Sequence, residues 1–272
     1  MSAVQRWKTM IQAEHAQSEK MRIPAPTGDH WQDYAQMFRT DPHLSGDPLL
    51  DRLLAEVSLD DTLIDVGAGG GRMALPLALH CRHVVAVEPS PSMVRVLEQQ
   101  VQEHGIGNVT LAQTSWEEAE VEPADLTLCC NVLYTIQEIG PFLRKLESHS
   151  RKRVLIVLYK APPQSQIYPL WQEIHGEKRR PLPSLPELEE VLQELGIAAQ
   201  VEALPPQLPR GFDNLEQAME QISRRLYLTE GSTQKAQLAS ILLERLEVVE
   251  GTFYIRDAQL VESALVSWQP QR

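Results

Sequence analysis

The 272-residue chain reads as an α/β protein with a doubly wound, mostly parallel sheet and helices on both faces. Three observations lead there. Short apolar runs of strand length alternate with amphipathic stretches of helical period. The first run, Leu63-Ile64-Asp65-Val66, passes directly into a turn of glycine and alanine and then into a helical stretch from Met73 to Leu79. The second, Val84 to Val87, ends in an acid, Glu88, 21 positions after Gly67.

In chain order, residues 3–21 place Val4, Trp7, Ile11 and Met21 on one side of an amphipathic helix. The stretch 23–28 is a proline-glycine breaker. Trp31, Tyr34, Ala35 and Phe38 then fall at i, i+3, i+4 and i+7, a stripe that either packs on the core or forms an aromatic lid. Residues 1–45 are accordingly set apart as an N-terminal helical lid segment, with 46–272 as the main domain. Asp47-Pro48 starts a helix, with the acid as cap and proline in the first turn, and Ser90-Pro91 repeats the signal. Strands are expected at 109–112, 125–130, 154–159 and 201–204. Helices are expected over 141–149 and, behind the capping box Ser184-x-x-Glu187, up to Gly196.

The alternation breaks twice. Residues 161–183 are rich in proline and aromatics and read as an insertion on the ligand side of the sheet. Residues 213–247 carry two apolar stripes, Leu215/Met219/Ile222/Leu226 and Leu238/Ile241/Leu242/Leu246, separated by Gly231-Ser232. They read as a helical hairpin inserted before the last strands, near 252–255 and 260–268, serving as a cap on the site or a homodimer surface.

Lys and Arg number 25 against 37 Asp and Glu, a net charge of −12. That balance argues against a nucleic-acid or anionic-membrane surface, which needs clustered cations. The triplets Arg151-Lys152-Arg153 and Lys178-Arg179-Arg180 read as solvated loops. Cys81, Cys129 and Cys130 have no metal-binding or redox spacing and read as buried structural thiols. With no signal-peptide core and no apolar stretch of membrane-spanning length, a cytoplasmic location is expected.

The turn has the form Asp65-x-Gly67-x-Gly69-x-Gly71, with Arg72 where a dinucleotide fingerprint would place its last glycine or alanine. A carboxylate at the tip of the next parallel strand is suited to a ribose diol. Asp65-Val66-Gly67-Ala68-Gly69-Gly70-Gly71, followed by Val87-Glu88-Pro89-Ser90, resembles the first two motifs of class I S-adenosylmethionine-dependent methyltransferases. The resemblance covers residues 60–160 and, more loosely, the chain to 204. It implies S-adenosylmethionine as cofactor. The backbone of Gly67, Ala68, Gly69 and Gly71 would approach its methionyl part, with Asp65 orienting the turn or meeting the ammonium through water. Glu88 would hold the ribose, Pro89 and Met93 the adenine, and Ser115 and Trp116 the opposite edge of the adenine. Asn131 and Val132 would close the site at the end of the fourth strand.

Asn131-Val132-Leu133-Tyr134 is neither the Asp/Asn-Pro-Pro-Tyr/Phe of amino-methylating nucleic-acid enzymes nor a Pro-Cys nucleophile, which together with the acidic charge points to a small-molecule acceptor. Its pocket is expected between residues 28–40 and 161–183, with Trp31, Tyr34, Phe38 and Trp171 against the acceptor. His175, Tyr134 and Tyr168, and with less support His30, are the candidate bases. A nicotinamide oxidoreductase and a cofactor-binding protein without turnover are the competing readings.

Overall fold

A run of Leu63, Ile64 and Val66 buries its side chains on both faces, which only a central strand in a covered sheet allows. In the computed structural model of the chain, which describes residues 1–21, 28–29, 31–32, 34–256 and 258–271, this run forms β1 (Thr62–Val66) at the middle of a seven-stranded sheet. The other six strands are β2 (His83–Val87), β3 (Val109–Ala112), β4 (Ala124–Cys130), β5 (Ser150–Tyr159), β6 (Gln200–Ala203) and β9 (Ser263–Trp268). Their order is β3-β2-β1-β4-β5-β9-β6, with β9 antiparallel to both neighbours. The order reverses direction at β1, between β2 and β4, so a crevice opens beyond the carboxyl ends of these strands.

One face of the sheet is covered by α1 (Ala3–Met21), α5 (Ile139–Ser148) and α7 (Leu185–Glu194), which contribute Trp7, Ile11, Phe142, Leu143, Leu188 and Val191 to the core. On the other face lie α2 (Pro48–Leu54), α3 (Ala74–Ala78) and Leu97 of α4 (Pro91–Glu103). The cap chemistry expected from the sequence is present. Asp47 accepts from the amides of Leu49 and Leu50, and Ser90 from that of Met93. Ser184 and Glu187 form the capping box of α7.

A third apolar cluster lies outside these two layers. It joins α6 (Tyr168–His175) to α8 (Leu215–Arg225) and α9 (Thr233–Arg245) through Trp171, Ile174, Ile222, Leu226, Leu238 and Leu242. The expected strand at 252–255 forms, as β8 (Thr252–Ile255), but it pairs with β7 (Leu246–Val249) in a separate ribbon instead of entering the main sheet. Glu250 and Gly251, both at positive φ, make the tight turn that lets two short strands pair locally.

Two other expectations change. The helix α1 buries Trp7 and Ile11 completely, and the Trp7 indole donates to the Ile136 carbonyl at 2.8 Å. It is therefore part of a packed layer, and among the described residues of 1–45 those that lie over the glycine turn come from residue 29 onward. The triplet at 178–180 is not a solvated loop throughout. Arg179 is buried, pairs with Glu14, bonds Gln17 at 3.1 Å and Ser18 at 2.6 Å, and lies 4.1 Å above the Trp171 ring. No helix among the described residues is long and apolar enough to cross a membrane.

Candidate functional site

The glycine turn begins where β1 ends. The amides of Gly67 and Ala68 both donate to the Val87 carbonyl, at 2.8 and 3.1 Å, which folds the turn back over the tip of β2. Gly67 is at φ +73°, and a Cβ there would lie 2.4 Å from a Val132 methyl, so only glycine fits. Gly69 is also left-handed, but nothing lies within 4 Å of the place its Cβ would occupy. The turn thus presents a bare, open backbone to the crevice at this point.

Glu88 joins the turn from the side. Its carboxylate accepts from the Gly69 amide and from the Ser90 amide, each at 2.9 Å, and the residue is 6% exposed. Desolvation raises its pKa above the ordinary value, and these two amide bonds only partly oppose the rise. Asp65 is buried beneath. Burial first, and then the charge of Glu88, push it up to about 7, against the pull of the Ala74 amide at the start of α3. Two acids are therefore held side by side with no cation between them among the described residues, an arrangement that favours a positively charged group in the crevice.

The segment after residue 28 lies over this turn. Asp29 sits at the start of α4, accepting from the Ser92 amide at 2.8 Å, the Ser92 hydroxyl at 2.5 Å and the Ser90 hydroxyl at 2.9 Å. Desolvation works to raise its pKa, but these bonds and the one from the Trp31 amide outweigh it and hold the carboxyl well below the usual range. A 3-10 helix over Ala35–Phe38 follows, its Ala35 packed on Met93 and Val96. It comes so close to Gly70 that a Cβ there would be 2.5 Å from the Phe38 carbonyl oxygen. Gln100, fully buried, ties the two together, donating to the Gly70 carbonyl at 2.6 Å and accepting from the Thr40 amide at 2.7 Å. Trp31 meets Phe38 edge to face at 5.3 Å, and Arg224 of α8 lies 4.5 Å above the Tyr34 ring.

On the other side of the crevice, Asn131 takes the left-handed conformation, φ 58°, at the end of β4. Tyr134 donates its hydroxyl to Asn131 Oδ1 at 3.2 Å and accepts from the Tyr159 amide at 3.0 Å, and its ring stacks on Tyr159 at 6.3 Å. Val132 leans on Gly67, while Pro89 is exposed beyond Glu88. Ser115 accepts from the Glu118 amide at 3.3 Å, closing a turn after β3.

Several expected roles do not fit these positions. Trp116 is buried in the core, edge-on to His149 at 5.2 Å with the Lys145 ammonium 5.0 Å above it, so its ring has no face turned to a ligand. Trp171 is 1% exposed, enclosed by Arg179, His175 and Tyr227; its ring fills the third cluster instead of lining an acceptor pocket. As for the three candidate bases, His175 Nε2 bonds the Leu226 carbonyl at 2.9 Å, which requires that nitrogen to carry the proton. Burial raises the Tyr134 phenol far above its ordinary value, and both sides of its hydroxyl are engaged. Tyr168 is pushed up to about 12 by burial. Neither phenol is poised to accept a proton near neutrality, and the His175 ring is tied through Nε2 to Leu226 and packed against Trp171. His30 lies outside the described residues.

Sequence reasoning missed Asp29, Gln100 and Tyr159. Asp29 precedes Ser90 by 61 positions and Gln100 follows Gly70 by 30. Neither spacing carries a local signal, since their partners are brought to them by the fold of the sheet.

A family model described as "Methyltransferase domain" matches residues 63–152. The "Probable cobalt-precorrin-6B C(15)-methyltransferase (decarboxylating)" of Methanothermobacter thermautotrophicus is 37% identical over 76 residues, which are 28% of this chain and 40% of that protein. Ribosomal RNA small subunit methyltransferase A of Thermotoga petrophila is 29% identical over 119 residues, 43% of this chain and 44% of that protein. The chain thus spans less than half the length of these curated relatives. Among solved structures, the YcgJ protein of Bacillus subtilis superposes with a TM-score of 0.57 at 18% identity, covering 82% of this chain and 98% of that one. With this strand order and this glycine turn, the matched residues 63–152 are the core of a class I S-adenosylmethionine-dependent methyltransferase domain.

Proposed function

We propose that the protein transfers a methyl group from S-adenosylmethionine to a small-molecule acceptor by in-line displacement. The observation that carries this reading is the buried carboxylate of Glu88 bonded to the amide of Gly69, the one glycine of the turn with open space beside it. Such a carboxylate is placed to accept from a ribose diol, and the buried Asp65 behind it favours the cationic end of the cofactor. When bound, the sulfonium supplies an activated methyl group. The chain's contribution is then alignment and exclusion of water. The open backbone of Gly69 offers close approach, Gln100 and Phe38 hold the 35–40 segment on the turn, and Asn131 with Tyr134 fixes the end of β4. Because the Tyr134 and Tyr168 phenols are not poised as bases and the His175 ring is packed against Trp171, the reading calls for an acceptor atom that is already nucleophilic near neutral pH. A cytoplasmic setting belongs to the same proposal.

The test is ligand binding by the purified chain. S-adenosylhomocysteine is expected to raise the melting temperature by mass action, whereas NAD and NADP leave it unchanged. A larger shift with NAD overturns the assignment. The absence of turnover in an otherwise cofactor-binding chain would favour the second reading, a binding protein without catalysis, which the doubly engaged Tyr134 hydroxyl supports.

A further inference from the structure

A cavity of about 1220 Å³ lies over the end of β5 and the chain that leads into β9. It exceeds the usual few hundred to ~1,000 Å³ of a small-molecule site and so has room for a whole acceptor. Tyr159, the last residue of β5, lines it and also touches the Tyr134–Asn131 pair at the end of β4. Its remaining walls come from the segments outside the shared sheet: 160–170, 206–212, α8, the end of α9 and the β8 ribbon.

The charge of these walls is opposite to that of the molecule. The chain carries −12, yet the cavity is lined by Lys160, Arg210, Arg225, Arg245 and Arg256 against the one acid Glu262 among the described residues. Two of the five are already paired: Lys160 with Glu262 at 3.1 Å and Arg245 with Glu173 through two bonds of 2.8 and 3.0 Å. Arg210, Arg225 and Arg256 have no carboxylate within ion-pair distance among the described residues. Arg210 and Arg225 also lie within reach of each other's charge. Arg225 is exposed as a residue, yet desolvation of its guanidinium and then the Arg210 charge push its pKa below the ordinary value, which the nearby Tyr34 only partly offsets. Unpaired like charges facing one cavity repel, and the arrangement is relieved when an anion enters between them. The rest of the lining mixes apolar side chains, among them Phe212, Tyr254, Ile167 and Leu260, with polar ones such as Gln164 and Gln221.

We infer that this cavity is the acceptor site, and that the acceptor is a small molecule with an apolar body and a carboxylate or phosphate group held by Arg210, Arg225 and Arg256. The inference rests on the methyltransferase reading for the word acceptor; the anion site itself does not. A free small anion responds to the local field inside the cavity, whereas a polyanion must also approach the acidic surface around it, so the charge balance favours the former.

The test is calorimetry on the full chain, in low salt, with inorganic phosphate and with malonate as probes. The relative strength of the two separates a phosphate-type from a carboxylate-type site. Wild-type protein is expected to bind at least one of them. Arg210→Ala, Arg225→Ala and Arg256→Ala are each expected to weaken that binding by about tenfold, as loss of a charge-assisted bidentate contact would. Arg225→Lys should recover only part of it. S-adenosylhomocysteine is titrated into the same variants, where unchanged affinity shows that fold and turn are intact. No binding of either anion by the wild type, or equal binding by all three alanine variants, overturns the inference. Tighter binding of a single-stranded RNA oligonucleotide than of phosphate, lost in the same variants, overturns the small-molecule acceptor in favour of a nucleic acid. Anion binding without S-adenosylhomocysteine binding leaves the site standing and removes the proposed function.

Discussion

Glu88 has two tasks at one position. Its carboxylate orders the turn by accepting from Gly69 and Ser90, and it is the group proposed to meet the ribose. Glu88→Ala is expected to cost about 1.5–3 kcal/mol of cofactor affinity per charged bond lost, and also to lower the melting temperature of the ligand-free chain, since two amides lose their acceptor. Glu88→Gln keeps an acceptor without the charge and should fall between the two. Calorimetry with S-adenosylhomocysteine and thermal melts check this; an unchanged affinity in folded Glu88→Ala removes the residue from the ribose site. Asp65 gives a pH signature. The folded chain holds its proton up to about 7, while the unfolded chain releases it near 3.8. Between those values the folded state binds more protons, so this group's contribution to stability is full below about pH 4 and lost as pH rises toward 7. Melting curves of the ligand-free chain and of Asp65→Asn should therefore diverge through that window, the variant gaining relative stability toward neutral pH. Parallel curves would show that the buried acid does not titrate there.

Among elements, the 3-10 segment at 35–38 and the turn beneath it are fitted to one another. Gly70→Ala places a methyl against the Phe38 carbonyl at a distance no real contact shows, and that carbonyl, being backbone, cannot swing aside as a side chain would. The segment is expected to lift from the turn, separating the already exposed Trp31–Phe38 pair from it and further raising tryptophan accessibility in a quenching measurement. If quenching and melting temperature both match the wild type, the contact is not a constraint. The tie between α1 and the 178–180 segment is testable in the same way. Arg179 and Glu14 are both nearly excluded from water, and Arg179→Ala leaves Glu14 buried without its cation. Denaturant unfolding is expected to show a loss of about 3–5 kcal/mol, the scale for breaking a buried pair from one side.

At the scale of the whole molecule, the three larger apolar clusters among the described residues divide the chain into a two-faced sheet core and a cap built from α6, α8, α9 and the β7–β8 ribbon. The cap shares no strand with the main sheet and carries most of the proposed acceptor cavity. Hydrogen exchange is expected to show α8 and α9 opening well before β1, β4 and β5, because local opening of the cap leaves the sheet core intact. Equal protection of hairpin and central strands would mean that cap and core unfold as one unit.

The amino-acid sequence by itself determined what depends on neighbours along the chain. The period of apolar residues marked the strands and helices of the sheet. Asp47-Pro48, Ser90-Pro91 and Ser184-x-x-Glu187 marked three helix starts, and the spacing of Asp65, the glycines and Glu88 marked the turn, because each is a pattern of local hydrogen bonds and backbone freedom. The remaining features depend on residues that folding brings together from distant parts of the chain. Arg179 looked like a loop cation until α1 supplied Glu14, Gln17 and Ser18 as partners. Trp171 and His175 looked like pocket residues until the hairpin closed over them, and 252–255 looked like a sheet strand until it paired with 246–249. The cationic cavity belongs to the same class. Arg210, Arg225 and Arg256 lie in three separate segments with no common pattern, and a net charge of −12 conceals them, because a sum over the chain carries no information about where its charges meet.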